Sequence, residues 1–388
     1  MSLRRVINGA GVILHGNLGR ARIAPSALDR VDAAAAGYST LEYDPVEDLR
    51  VNRFEHLTGL IRTVTGAEDA IVVNNNAAAC LLCFMALAPG RDVLISRGEL
   101  IDMGSVFRIT ESIELAGARL KEVGSTNRTF LSDYSAAADA ETGAILKVNT
   151  ANYKITGSVN SVGSDELSLL SRSLRVPLIC DLGTGLMVDL SRYGLHEPTV
   201  RRVIAEGADV VCFSGDKLLG ACQAGIIAGK REYVERIRRH PLARSLRPGK
   251  MTVAVLEETF RIYAEGDPMS EIPVLQTISV PSERIRSKAW ALCRKLTAAG
   301  IKADVLIMPG HCRLGGGMAP GFKLDTWAVA VVSEDLSADE ISMRLRRWIV
   351  PVLSHVEGDY LLLDMRTVAD GETETLFRAL TEVLGTEN

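Results

Sequence analysis

Long apolar runs are missing from this chain of 388 residues. None approaches the roughly 18 residues that a membrane-spanning helix requires, so no span is expected. A secretory leader pattern is missing too, because Met1-Ser2-Leu3-Arg4-Arg5 has no apolar core after it. The expected location is cytoplasmic. Neither sign of charge dominates. The formal net charge of -4 excludes the global polycationic surface of a non-specific nucleic-acid binder. There is no cysteine framework either. Of seven cysteines, at 80, 83, 180, 212, 222, 293 and 312, only Cys80 and Cys83 are closely spaced, and no further ligand stands beside them. They read as reduced, mostly buried thiols, and no metal is expected. Internal repeats and low-complexity tracts are also absent. What remains is ordinary globular composition, 47% hydrophobic and 24% charged, in a length that suits one large and one smaller domain.

Strand-like runs at 70–73, 93–96, 120–123, 144–148, 178–180, 210–213 and 224–228 read as strands. Helical patterns such as 76–87 and 165–173 separate most of them. This alternation predicts an α/β fold with a mostly parallel seven-stranded sheet covered on both faces. Residues 1–60 are expected to form an N-terminal arm and helices, and 61–264 the large domain, with 233–264 mainly helical. Residues 265–388 are expected to form a small α+β domain, with strands near 327–332 and 360–365 and helices near 338–348 and 373–384. The glycine-rich stretch at 314–320 reads as a connection, since no strand-to-helix junction frames it.

The chemistry gathers at strand ends. The run Val210-Val211-Cys212-Phe213 is followed by Ser214-Gly215-Asp216-Lys217, which sets a lysine just past a buried strand. That is the carboxyl edge, where open α/β sheets place ligands. Desolvation there favours the neutral amine that Schiff-base chemistry uses. The run Val176-Pro177-Leu178-Ile179-Cys180 ends in Asp181. A carboxylate on one strand tip and a lysine on a nearby one is the arrangement of pyridoxal phosphate enzymes. In them the acid pairs with the ring nitrogen and the lysine holds the aldehyde carbon. Asn75, Asn76 and Ala77 open a helix after the strand at 70–73, as a phosphate cradle or as simple caps. Ser214 is placed to donate to the same phosphate. Asn152 is either a partner of the cofactor's phenolic oxygen or a turn asparagine. His15 and Asn17 read equally as turn residues. Residues 230–250 hold nine basic side chains, counting His240, against Glu232 and Glu235. Arg244 and Arg247, three apart, are expected on one helical face, suited to clamping an oxyanion. Arg366 ends a strand from which it either holds a substrate carboxylate or forms a surface ion pair.

Several motifs together resemble one family, the bacterial selenocysteine synthases (L-seryl-tRNA(Sec) selenium transferases) and their shorter relatives. They are Leu14-His15-Gly16-Asn17-Leu18-Gly19-Arg20, Leu41-Glu42-Tyr43-Asp44, Val73-Asn74-Asn75-Asn76-Ala77-Ala78-Ala79, Ser96-Arg97-Gly98-Glu99-Leu100, Asn127-Arg128-Thr129, Asp181-Leu182-Gly183-Thr184-Gly185, Ser214-Gly215-Asp216-Lys217-Leu218-Leu219-Gly220 and Gln223-Ala224-Gly225-Ile226-Ile227. The resemblance runs from Val6 to about Ala264 and weakens beyond. It implies a fold-type-I pyridoxal 5'-phosphate enzyme with Lys217 as the Schiff-base lysine. It further implies an anion site lined by Arg20, Arg244 and Arg247, and a homodimer or larger assembly. The implied reaction forms an aminoacrylate by β-elimination at a serine-like substrate and adds a selenium nucleophile. Departures from the family pattern are Ala221-Cys222 for a usual Gly-Pro, Gly249 for an acidic residue, and Pro45 to Arg53 for a glycine-arginine-rich segment. Members that act on tRNA carry a domain ahead of the Ile-Asn motif, whereas six residues precede Ile7 here. Selenocysteine tRNA is therefore kept as an open partner. Beside it stand two alternatives: an ammonia-lyase-type β-elimination on a small amino acid, phosphorylated or not, and a catalytically silent cofactor-binding scaffold.

Overall fold

The computed structural model describes residues 2–102 and 108–386. It divides into two compact units, one of residues 21–275 with 317–320, the other of 1–20, 276–316 and 321–388.

The larger unit is built on seven strands: β1 Asp69–Val73, β2 Asp92–Ser96, β3 Arg119–Val123, β4 Thr142–Val148, β5 Leu178–Gly183, β6 Val210–Ser214 and β7 Gly225–Gly229. Their order across the sheet is β1-β7-β6-β5-β4-β2-β3. All neighbouring pairs are parallel except those of β7, which runs antiparallel to both β1 and β6. The fold is therefore the α/β arrangement that the alternating pattern predicts. β1, β2, β6 and β7 are buried along their whole length, which explains why they read as unbroken apolar runs rather than alternating ones. The helix Asn76–Leu87 packs on the sheet through Cys80, Leu82, Cys83, Phe84 and Leu87, in one core with Cys212 and Ile227. The basic stretch expected to be mainly helical forms three helices, Arg231–Arg239, Pro241–Ser245 and Lys250–Glu265.

The smaller unit carries a four-stranded antiparallel sheet of β8 Asp304–Cys312, β9 Leu324–Val332, β10 His355–Glu357 and β11 Tyr360–Asp364, in the order β8-β9-β11-β10. β8 and β10 are additions to the expected pair. Pro309 and Gly310 interrupt the strand pattern of β8, and an edge strand is where a sheet tolerates them. The N-terminal residues join this unit: Ile7–Asn8 pairs in parallel with Val352–Leu353, and Ile7 is buried in the same core as Val329, Leu361 and Leu380. No helix of the described residues is long and apolar enough to cross a membrane. All seven cysteines are free.

One glycine fixes how the larger sheet meets the helix Asn76–Leu87. A Cβ on Gly225 would stand 2.1 Å from the Asn75 carbonyl oxygen, a backbone atom that cannot step aside alone. Gly225→Ala is expected to destabilise the chain by about 2–4 kcal/mol and to lower Tm, followed by circular dichroism on heating.

Candidate active site

Four loops leave the carboxyl edge of the larger sheet side by side, after β1, β4, β5 and β6, and the polar side chains converge there. Asp181 lies on β5, opposite Val148 on one side and Cys212 on the other, with only 5% of its surface exposed. A carboxylate so placed needs donors. Asn76 Nδ2 reaches Asp181 Oδ1 at 2.8 Å and the Gly183 amide reaches the same oxygen at 3.1 Å. Burial nonetheless raises the Asp181 carboxyl above its ordinary value, opposed by the Asn76 bond and by the positive charge of Lys217. Lys217 follows β6 by three residues, and its Nζ comes within 3.7 Å of where a Cβ on Gly183 would stand. The lysine and the aspartate thus meet across Gly183, whose φ of +62° suits glycine.

Asn75 caps the helix Asn76–Leu87 by accepting from the Ala78 amide at 2.9 Å. The amides of Asn76 and Ala77 remain first-turn donors at the positive end of the helix dipole. Ser214 closes β6, buried and in register with Gly225. The side-chain oxygens Asn76 Oδ1, Asn152 Oδ1 and Thr184 Oγ1 are buried with no hydrogen-bond partner. Asn152 Nδ2 donates to the Asp102 carbonyl at 3.2 Å, so the donor end that sequence offered to a phenolic oxygen is engaged within the protein. Beside it, Tyr153 Oη donates to the Gly98 carbonyl and Lys147 pairs with the buried Glu99.

Two groups that sequence reasoning passed over also stand at this edge. The Asn149 amide donates to the Asp181 carbonyl at 2.8 Å, and its side-chain Nδ2 donates to Glu197 Oε2 at 2.5 Å. Burial raises the Glu197 carboxyl, and the Lys217 charge opposes that rise. Asn149 could have been found as the polar residue ending a strand run; Glu197, in a loop segment, gives no such signal.

The arginines fall in different places. Arg244 and Arg247 do not share a helical face, which corrects the expectation from their spacing. The helix Pro241–Ser245 stops before Arg247, as the following Pro248 disfavours a helical residue ahead of it. Both still line a cavity of about 350 Å³, together with Arg50, Arg53, Arg238 and a single carboxylate, Glu42. Glu42 accepts from Arg53 at 2.7 Å, Arg50 at 3.0 Å and Arg247 at 3.2 Å, and these bonds, that of Arg53 foremost, hold its carboxyl below the ordinary value. Arg238 is balanced by Asp69 and Glu235, and the other four guanidinium groups around Glu42 leave the cavity positive. Arg20 belongs to the smaller unit, where its left-handed backbone (φ 63°) lets its amide reach the His15 carbonyl. Arg366 is buried in the same unit and donates to the carbonyls of Thr277, Val280 and Asp325.

Residues 6–369 match the family described as L-seryl-tRNA selenium transferase. The chain belongs to that family. L-seryl-tRNA(Sec) selenium transferases of Moorella thermoacetica and Carboxydothermus hydrogenoformans are 47% and 44% identical to it. These alignments cover 99% and 97% of this chain, and 82% and 81% of the relatives. Among solved structures, D-glucosaminate-6-phosphate ammonia-lyase superposes over 99% of this chain and 96% of its own at a TM-score of 0.66, with 22% identity. A Sphingomonas wittichii serine palmitoyltransferase superposes over 98% and 87% at 0.50, with 14% identity. The chain is thus an enzyme of the selenium transferase family with the fold-type-I architecture of pyridoxal phosphate-dependent transferases and lyases.

Because burial raises the Asp181 carboxyl, the folded chain binds its proton more readily than the unfolded chain does. The buried charge therefore costs stability at neutral pH, and the cost is relieved as pH falls through the raised value. Asp181→Asn removes the charge at nearly constant shape. Without added ligand, the variant is expected to melt above the unaltered chain at about pH 7.5 and to lose that advantage toward about pH 4. Calorimetric scans at the two pH values check this.

Proposed function

We propose that this chain binds pyridoxal 5'-phosphate and acts as an L-seryl-tRNA(Sec) selenium transferase, exchanging the seryl hydroxyl for selenium. The observation that carries the reading is the meeting of the Lys217 amine and the buried Asp181 carboxylate across Gly183. Lys217 would hold the aldehyde carbon and Asp181 the protonated ring nitrogen. The amides of Asn76 and Ala77, with Asn75 and Ser214, would hold the phosphate. The unpartnered oxygens Asn76 Oδ1 and Thr184 Oγ1 fit a polar guest in the same place. When bound, pyridoxal phosphate supplies an aldehyde that condenses with an amine and a ring that withdraws electrons from the adjoining carbon.

The protein's part follows from its own groups. Asp181, whose carboxyl accepts from Asn76 and Gly183, would keep a proton on the ring nitrogen. The Lys217 amine, displaced by the substrate's amine, would take the α-proton and return a proton to the departing β-oxygen. The arginine cavity would take the anionic selenium donor. A homodimer or larger assembly belongs to this reading, tested by light scattering on the eluting protein.

Borohydride treatment of the yellow, cofactor-loaded protein is expected to fix the cofactor's mass on the peptide carrying Lys217. Lys217→Ala should lose both that label and the visible absorbance, with selenium transfer down by about 10³-fold or more. A label on another lysine would sink the assignment. Arg247→Ala should raise KM for the selenium donor by about tenfold, measured with kcat in the same assay. Release of ammonia from small amino acids, with no selenium entering seryl-tRNA, would place the chain among β-eliminating lyases instead. Cofactor uptake without either turnover would indicate a silent scaffold.

A further inference from the structure

Two carboxylates, Asp181 and Glu197, feel the charge of Lys217, and the chemistry above uses one of them. Asp181 accepts from Asn76 and Gly183. The other, Glu197, lies in the segment leading to the helix Val200–Ala205, where it accepts a hydrogen bond from Asn149 Nδ2. Asn149 in turn is fixed at the tip of β4 by its amide bond to the Asp181 carbonyl at 2.8 Å. One asparagine therefore ties the second carboxylate to the strand that carries the first.

We propose that Glu197, held by Asn149, is a positioning residue that keeps the Lys217 nitrogen oriented and balances its positive charge when it carries a proton. The inference rests on the cofactor reading above. When the substrate's α-carbon loses its proton, the C–H electron pair stays on carbon and the proton joins the Lys217 nitrogen as an ammonium. That ammonium carries one positive charge, which the Glu197 carboxylate balances. As the Cβ–O bond breaks, its electron pair leaves with oxygen. The ammonium proton then completes a water molecule, and the lysine returns to a neutral amine. Lys217 and Asn149 are the groups acting on the Glu197 carboxyl. Asp181 also feels the Lys217 charge.

The experiment uses the full chain loaded with pyridoxal phosphate, unaltered and as Glu197→Gln, Glu197→Asp and Asn149→Ala. Three readouts are taken: borohydride labelling of Lys217, the pH midpoint of the bound cofactor's visible absorbance, and entry of solvent deuterium at Cα of L-serine as a probe. Glu197→Gln should keep the label, move the midpoint down by about one pH unit and slow deuterium entry about tenfold. Glu197→Asp should recover most of both changes. Asn149→Ala should move the midpoint in the same direction, which keeps the test usable should Glu197→Gln fail to fold. A labelled Glu197→Gln with midpoint and deuterium entry unchanged would overturn the role of Glu197 and leave the cofactor reading standing. Absence of labelling in the unaltered chain would overturn the cofactor reading, and this inference with it.

Discussion

Keeping a carboxylate out of water is the constraint around which the larger unit is arranged. A charge at the position of Asp181 survives only if donors are waiting for it, because transfer from water into protein costs several kcal/mol when uncompensated. The donors come from separate parts of the sequence: the Asn76 side chain and the Gly183 amide two residues from the acid. They cannot both be supplied unless β1, β5 and the helix Asn76–Leu87 are already in register. The acid is thus a consequence of correct folding as well as a functional group, and its raised pKa shows that the donors offset the burial only in part.

The sheet topology explains why these groups meet at all. In a parallel array, successive strands discharge their loops at one edge, and a ligand site forms where loops diverge. Here the sheet also contains one reversed strand, β7, inserted between β1 and β6. The insertion lets the main chain of Asn75 lie against Gly225, so close backbone contact helps to seat the start of the helix Asn76–Leu87. Helix dipole and buried acid then act on the same small volume from two directions.

Much of this was legible from residue order. Strands buried on both faces, such as β1, β2, β6 and β7, appear as plain apolar runs and were readable as such, as were the positions of Lys217 and Asp181 at strand ends; the edge strand β3 was read without that signal. The helix expected at 76–87 was found with those bounds, its start marked by Asn75. What could not be read depends on distance in space. Nothing local at Glu197 announces a neighbour on β4, and Asn76 gave no sign that its amide turns to Asp181 rather than outward. Arg244 and Arg247 show the opposite failure. Spacing alone put them on one helix face, while Pro248 carried the contrary signal. The strand at 304–312 was hidden by Pro309 and Gly310, residues that argue against a central strand but not against an edge.

The connection from β6 to β7 has a consequence of its own. Lys217 rides on a reversing arch pinned at its feet, where Gly215 and Ala224 share a 2.9 Å bond. It is pinned inside as well, by Ala221 to Gly215 at 2.9 Å, Gly220 to Lys217 at 3.1 Å and Leu218 to Thr184 at 2.9 Å. Such a span has no slack, so the butylamine stem supplies all the travel the Lys217 nitrogen has, swinging from a stationary pivot. Adding or deleting a single amino acid in this arch would shift the pivot itself, which makes its length as restrictive a requirement as the identity of the lysine.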